Sequence, residues 1–281
     1  MAIGDSTRIN TNIAAFNALN SLKDVNRSLE RSQLKLATGF RINEVADDPA
    51  GFTISKRLDA RARGLSVALD NVGTTKNVLS IAEGGLLNIQ NILITLKEKV
   101  TQAANDTLGS AERNAIATEI TELTTEINNI VAETTFNDQA LLDGTYTNKS
   151  YQTGEDTTNT LAFSISSDNT ANGLGVDSAN VSSRVYTASG SSVALSNVDG
   201  AIETIAETLQ NIGATVSRLG VKESTLRIAI TNTEATKSRI LDSDIAFEQL
   251  NSTKMQILQQ TATAQLAQAN VAPQNVLALF Q

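Results

Sequence analysis

Residues 58–103 read LDARARGLSVALDNVGTTKNVLSIAEGGLLNIQNILITLKEKVTQA, and in them Leu58, Leu65, Val72, Leu79, Leu86, Leu93 and Val100 recur at every seventh position. Ala68, Ala82, Ile89, Leu96 and Ala103 fill the intermediate steps of three and four, and Ile54 extends the set by a turn toward the N-terminus. Steps of three and four in alternation keep one face of an α-helix turned to a partner, which makes this a coiled-coil seam. Asp48-Pro49 marks its start, with an N-cap acceptor followed by a proline at the first helical position, where a missing N–H costs nothing. Continued to Asn105 the helix would measure roughly 80 Å at 1.5 Å per residue. Gly64, Gly73 and the Gly84-Gly85 pair weaken it locally and admit close approach or bending.

Downstream, Asn105 to Ser110 reads as a turn, with Ser110 placed to cap a second helix carrying Ile116, Ile120, Leu123, Ile127 and Ile130. A short turn between two long helices predicts antiparallel packing. From Thr134 to about Asp199 the texture changes to Ser, Thr, Asn and Gly with short alternating pieces such as Leu161-Ala162-Phe163-Ser164-Ile165, which predicts small β-hairpins and exposed loops. The heptads return in Val198, Ile205, Ile212, Leu219, Leu226, Thr233 and Ile240, interleaved by Ile202, Leu209, Val216 and Ile230. This second rod is long enough to lie along the first.

Each chain end carries a further helix of different character. Leu250, Ile257, Ala264 and Val271 keep a seven-residue step amid Gln, Thr and Ala, and Ala15, Leu22, Leu29 and Leu36 do the same near the N-terminus, with Leu19 between. One apolar stripe with uncharged polar faces cannot be fully buried by local folding. The two ends need each other and, beyond that, other copies of the chain, and the uncharged Gln, Thr and Ala faces of the C-terminal helix stack on identical neighbours without like-charge repulsion. The expected fold is mainly α, a long antiparallel helical or coiled-coil bundle made from both chain ends with a small β-hairpin segment in the centre.

Composition narrows the function. The 281 residues include no His, no Cys and no Trp, which removes Ser-His-Asp triads, cysteine nucleophiles, zinc sites of the usual kind and disulfide frameworks. Twenty-two basic residues against 30 acidic ones give a net charge of −8, which argues against nucleic acid or an anionic membrane as partner and favours protein. Met1 to Asn12 lacks the charged and apolar regions of a cleaved signal, and no run approaches eighteen or so unbroken apolar residues. These rules alone give a cytosolic chain with no membrane insertion. Asp47-Asp48 is read as a turn and cap, since adjacent carboxylates do not face a shared substrate, and neither a cofactor nor a metal is expected.

Several motifs then coincide. Ile9-Asn10-Thr11-Asn12, the run Leu36-Ala37-Thr38-Gly39-Phe40-Arg41-Ile42-Asn43 and Ala46-Asp47-Asp48-Pro49-Ala50-Gly51 resemble the N-terminal signature of bacterial flagellins. Thr135-Phe136-Asn137 with Leu141-Leu142-Asp143-Gly144 is similar to a later segment of that family, except that Asp138 stands where Gly is usual. Near the other end Ser238-Arg239-Ile240-Leu241-Asp242-Ser243-Asp244-Ile245-Ala246, Gln256-Ile257-Leu258-Gln259-Gln260, Leu266-Ala267-Gln268-Ala269-Asn270 and Pro273-Gln274-Asn275-Val276-Leu277 complete the likeness. It covers about 145 residues at the start and about 85 at the end, in order.

The resemblance implies a structural filament subunit, not an enzyme, located outside the cell in the flagellum and exported unfolded through the flagellar type III apparatus without a cleaved signal. The implied division is an inner coiled-coil domain from residues 1–45 and 242–281, a rod domain from 46–144 and 199–241, and a short β and loop insert at 145–198. Expected assembly contacts are Leu22, Leu29, Leu36, Arg41, Asn43, Asp47, Asp48, Leu250, Ile257, Leu266, Asn270 and Leu277. An export chaperone is expected to cover Leu250, Ile257, Leu258, Leu266 and Val276, whose apolar stripe needs shielding before export. Further implied partners are the filament cap and the hook–filament junction proteins. Central Ser and Thr residues are candidate O-glycan carriers, as in some flagellins. Flagellins sensed by the vertebrate Toll-like receptor carry a QRVREL-type segment before a Q-x-A-N sequence. Here Ile94-Thr95-Leu96-Lys97-Glu98-Lys99 precedes Gln102-Ala103-Ala104-Asn105, with Thr95 at the first Arg position and Lys99 at the final Leu, so weak receptor recognition is expected.

Overall fold

The computed structural model describes residues 11–277, with the side chains of 188 and 272–277 left aside. Five helices dominate: α1 (Ile13–Thr38), α2 (Pro49–Ala103), α3 (Ser110–Glu133), α4 (Ala188–Leu241) and α5 (Ile245–Leu277). Two antiparallel hairpins interrupt them, β1 (Thr135–Phe136) with β2 (Gln139–Ala140), and β3 (Tyr146–Gln152) with β4 (Thr160–Ile165). The chain divides into two compact units, one from both ends (up to Ala60 and from Asn232) and one from Arg61–Thr231.

The central unit is built on the predicted seam. Val72, Leu79, Leu86, Leu93 and Val100 are fully buried, as are Ala82, Ile89, Leu96 and Ala103 in the alternate positions. They meet Ile120 and Ile127 of α3 and Ala194, Val198, Ile205, Ile212 and Leu219 of α4 in one continuous core. Ion pairs report the directions, Lys99 with Glu119 at 2.6 Å for α2 against α3, and Lys97 with Asp199 at 2.7 Å and Lys76 with Glu223 at 2.9 Å for α2 against α4. Along α4 the partner numbers fall as the α2 numbers rise, and α3 runs from Glu119 beside Lys99 to its C-cap Thr134 beside Gly85, so both neighbours run antiparallel to α2. An 18-residue window of α2 reaches a mean hydropathy of 1.3; the helix gives Leu79, Leu86, Leu93 and Leu96 to this core, while Ile81, Leu87 and Ile94 are exposed.

Several details depart from the sequence reading. Ile54 is exposed, and Ser55 and Ala62 are buried in its place, because a helix of 3.6 residues per turn drifts against a 3.5-residue repeat and moves the inward face by one position. Ser110 is the first residue of α3, and Gly109 occupies its N-cap without any side-chain hydrogen bond. The C-terminus of α2 is closed instead by Arg113, which is buried and donates to the carbonyls of Ala103, Asn105 and Leu108. Of the Gly84-Gly85 pair only Gly85 marks a close approach, since a Cβ there would lie 2.7 Å from Thr134 Oγ1 and 2.9 Å from Leu142 Cδ1, whereas Gly84 and Gly73 face open space.

The central segment is also more integrated than exposed loops would be. After β4, Ala171, Val176, Val181 and Val185 are buried in the core, and Ser182 donates to the Ala117 carbonyl of α3 at 2.9 Å. Helix α4 begins at Ala188, inside the stretch read as insert, because its first turns are buried through small residues such as Ser191 and Ala194 that leave no apolar period to read.

Candidate assembly surface

The two end helices form an antiparallel hairpin. Asn12 caps α1 by accepting from the Ala15 N–H at 2.9 Å, and its amide donates to the Ala269 carbonyl on α5 at 2.7 Å. Gln259 Nε2 donates to Asn26 Oδ1 at 2.9 Å, and Ser32 Oγ to the Glu248 carbonyl at 3.3 Å. Along α1 the seam toward α5 uses the predicted stripe: Leu29 is buried, and Leu19, Leu22 and Leu36 are half-buried.

Helix α5 turns a different face to α1 than its apolar stripe suggests. Its more buried positions are Glu248, Ser252, Met255, Gln259, Ala262, Leu266 and Ala269, spaced by alternating fours and threes. That is a coiled-coil seam of small and polar residues. Leu250, at 71% exposure, and Ile257, at 59%, point away from it, together with Leu258 and Val271. On α1, Phe16 is 66% exposed and Ile13 and Leu34 are also uncovered, while Phe247 at 62% continues the open surface of α5. Exposed apolar residues on these two paired helices form a candidate interaction surface, and α2 and α4 carry further ones such as Val67 and Ile228. Phe16, Ile13 and Phe247 were not among the expected contacts. Their signal in the sequence was an apolar residue lying off the heptad of an otherwise polar helix.

The connector between α1 and α2 is held by its own motif residues. Gly39 ends α1 in the left-handed region at φ 75°, its N–H donating to the Lys35 carbonyl at 2.9 Å. The Arg41 N–H donates to the Leu241 carbonyl at 2.6 Å and the Arg41 guanidinium to the Ile240 carbonyl at 2.8 Å, while Ser243 N–H returns to the Gly39 carbonyl at 2.8 Å. Asp47 Oδ2 accepts from the backbone N–H groups of Asn43 and Glu44, each at 3.1 Å, and these bonds hold its carboxyl below the ordinary aspartate range, with Lys35 and Arg31 adding to the effect. Asn43 Nδ2 donates to the Phe40 carbonyl at 2.9 Å, and Asp48 Oδ1 accepts from the Gly51 N–H at 2.9 Å as the cap of α2. A Cβ at Gly51 would stand 2.5 Å from Asp48 Oδ2 and 2.7 Å from Ile42 Cδ1, so the cap requires glycine there.

The expected contact residues therefore separate into groups. Leu22, Leu29, Leu36 and Leu266 belong to the seam within the chain, and Arg41, Asn43, Asp47 and Asp48 are engaged by backbone within the connector. Leu250, Ile257 and Leu258 are open, as is Asn270. Leu277 and Val276 lie outside the residues whose side chains are described.

Known proteins match the chain along most of its length. A model of the bacterial flagellin N-terminal helical region matches residues 9–147, and one of the bacterial flagellin C-terminal helical region matches residues 195–280. Flagellin of Bacillus subtilis is 35% identical over 98% of this chain and 100% of its own length. The flagellar filament 33 kDa core protein of Treponema phagedenis is 32% identical over 97% and 99%. A solved structure described as a putative flagellar hook-associated protein from Vibrio parahaemolyticus shares the fold, with a TM-score of 0.59 at 13% identity, covering 70% of this chain and 100% of that one.

Proposed function

The chain belongs to the bacterial flagellin family, and from that membership we propose that its end helices, paired in the chain but apolar on their outer faces, are what polymerises it. It is a structural subunit of the flagellar filament and has no catalytic role; its place is that surface structure. The observation that carries the assembly reading is the orientation of α5, whose weak seam is covered by α1 while Leu250, Ile257, Phe247 and Val271 stay open. Burying such side chains against neighbouring copies contributes about 1.5–3 kcal/mol each, a gain that the isolated subunit forgoes.

Export through the flagellar type III apparatus, in an unfolded form and without a cleaved signal, is part of the same reading. The same outer stripe of α5, centred on Leu250, Ile257 and Leu258, is the surface an export chaperone would cover, with Leu266 and Val276 completing its footprint. The filament cap and junction proteins are further proposed partners. The central segment offers many exposed hydroxyls as O-glycan carriers, among them Thr157 and Thr158 beside the β3–β4 turn, Ser164 and Ser178. Fold likeness to a hook-associated protein raises a junction-protein reading, but that likeness comes with 13% identity, whereas the filament proteins match end to end above 30%.

Electron microscopy of purified subunit, seeded with flagellar fragments, tests the proposal. Long tubular filaments are expected, and truncation beyond Asp244 is expected to abolish them. Short layers that stop growing would favour the junction reading, and filaments of normal length from the truncated chain would overturn the role of α5.

A further inference from the structure

The central unit carries two complementary charged surfaces that the described chain leaves unmatched. The first is a groove of about 540 Å³ between the β3–β4 hairpin and α4, lined by Thr153, Thr160, Leu161, Arg218, Val221 and Lys222. Arg218 and Lys222 stand one helical turn apart and enter no ion pair among the described residues, and Val221 between them is exposed. Two like charges at this spacing repel each other unless something negative faces them.

The second surface is the outer face of α3. Its carboxylates are Glu112, Glu119, Glu122, Glu126 and Glu133, and its one basic residue, Arg113, is buried with its guanidinium spent on the carbonyls that end α2. Glu119 is paired with Lys99, but Glu122 and Glu126 are exposed and form no ion pair among the described residues. They stand at the same one-turn spacing as Arg218 and Lys222, so two helices laid side by side bring both pairs into register at about 6 Å intervals.

We propose that in the filament Glu122 and Glu126 of one copy seat against Arg218 and Lys222 in the groove of the next. This rests on the filament-subunit reading and adds residue identities to it. Groove and acidic face are different patches of the same chain, so the contact is head-to-tail, and a repeated head-to-tail contact that does not close generates a helical polymer. In a chain of net charge −8, the groove also gives each copy a cationic point of attachment for an otherwise self-repelling neighbour.

Filaments assembled from equal amounts of ¹⁵N-labelled and unlabelled protein, treated with a zero-length carbodiimide, test this by mass spectrometry. A mixed-isotope amide joining Lys222 to Glu122 or Glu126 is expected, and its absence, with other intermolecular links present, overturns the proposal. Seeded growth of R218E/K222E and of E122K/E126K gives a second arm. Each variant alone is expected to raise the critical concentration by about ten-fold, and an equimolar mixture to recover growth, the pattern of charge complementarity across an interface. Wild-type elongation with both variants growing at the wild-type rate overturns the contact and leaves the filament function standing. Failure of wild type to elongate from seeds counts against that function instead. A mixture that does not recover growth, although both variants fold, also overturns the pairing. Should a reversed variant not fold by circular dichroism, the cross-link in wild-type filaments decides.

Discussion

Gln259 on α5 donates from Nε2 to Oδ1 of Asn26 on α1 at 2.9 Å, joining residues 233 positions apart in the chain. On its α5 side the seam around this pair offers Ser252, Gln259 and Ala262 with Met255 between them, so the leucines of α1 meet few large apolar side chains and packing alone discriminates poorly between one alignment of the hairpin and another. A polar pair within a seam sets register at some cost in stability. Asn26→Leu alone is expected to lower the stability of the hairpin by about 1 kcal/mol, the scale of one hydrogen bond. In N26L/Q259L stability returns, but spin labels placed on α1 and α5 should show a broadened distance distribution. A single sharp distance in the double variant would deny the pair its alignment role.

Arg113 carries the turn between α2 and α3. Its guanidinium satisfies three carbonyls beyond the last hydrogen bonds of α2, and its partner Asp106 at 3.4 Å is largely in solvent. Arg113→Ala removes the guanidinium from the Ala103 and Leu108 carbonyls and leaves that of Asn105 with the Leu108 N–H alone, and is expected to cost about 2–3 kcal/mol in thermal or denaturant unfolding. Arg113→Lys should recover only part of it, because an ammonium cannot copy the planar fork.

The β1–β2 turn places Asn137 and Asp138 at φ 51° and 60°, the left-handed pair of a type I′ hairpin. Asp138→Gly is expected to raise the unfolding free energy by about 0.5–1 kcal/mol. Gly144→Ala has the opposite sign, since Gly144 sits at φ 78° and an added Cβ would meet the Asp168 backbone nitrogen at 3.2 Å.

Much of this architecture is legible in the sequence, and the exceptions share a cause. The α2 seam is readable from Leu65 to Ala103 because nearly every buried position is apolar, Thr75 being the buried polar exception. The start of α4 is not, since Ser191 and Ala194 are as deeply buried as Ile205 but have no hydropathy to announce it. Helix α5 shows the limit most clearly. Leu250 and Ile257 define its apolar stripe, yet the stripe turns outward, because which face a helix presents depends on all its neighbours and not on its own period. The connector motif was legible as a turn and cap, whereas the bonds from Arg41 to the carbonyls of Ile240 and Leu241 join elements about 200 residues apart and have no local signal.

Acid should loosen the connector first. The Asp47 carboxyl is held below its ordinary value of 3.8 by the N–H groups of Asn43 and Glu44, so its contribution is present above that value and is lost as pH falls through the lowered one. Amide exchange at Asn43 and Glu44, corrected for the intrinsic pH dependence, is expected to lose protection as pH falls below about 4, and Asp47→Asn should remove that dependence. Lys237 behaves in reverse. Its bond to Asp59 at 2.8 Å raises its pKa above 10.5, so its contribution is complete below that value and is lost as pH rises through the raised one.

Recognition by the vertebrate flagellin receptor is expected to be weak. Thr95 stands at the position of the motif's first Arg, and Lys99, at its final Leu, is drawn into an ion pair with Glu119 at 2.6 Å. A receptor reporter assay should give a response well below that of a flagellin carrying the QRVREL-type segment, and T95R/K99L should raise it. Equal responses from the unaltered chain and a strong flagellin would refute the expectation.

The lining of the α1–α5 seam sets the order in which the molecule comes apart under load. Separating these helices uncovers Ser32, Ser252 and Ala262 with a few leucines, so each turn pulled free exposes little oil to water. The central bundle yields Leu79, Leu86, Leu93 and Ile205 from full burial, and each turn there resists more. A tug on either terminus therefore meets its softest resistance at once and its hardest last. The polypeptide ravels from its tips inward, and the bundle is the part that keeps its fold without help from a neighbour.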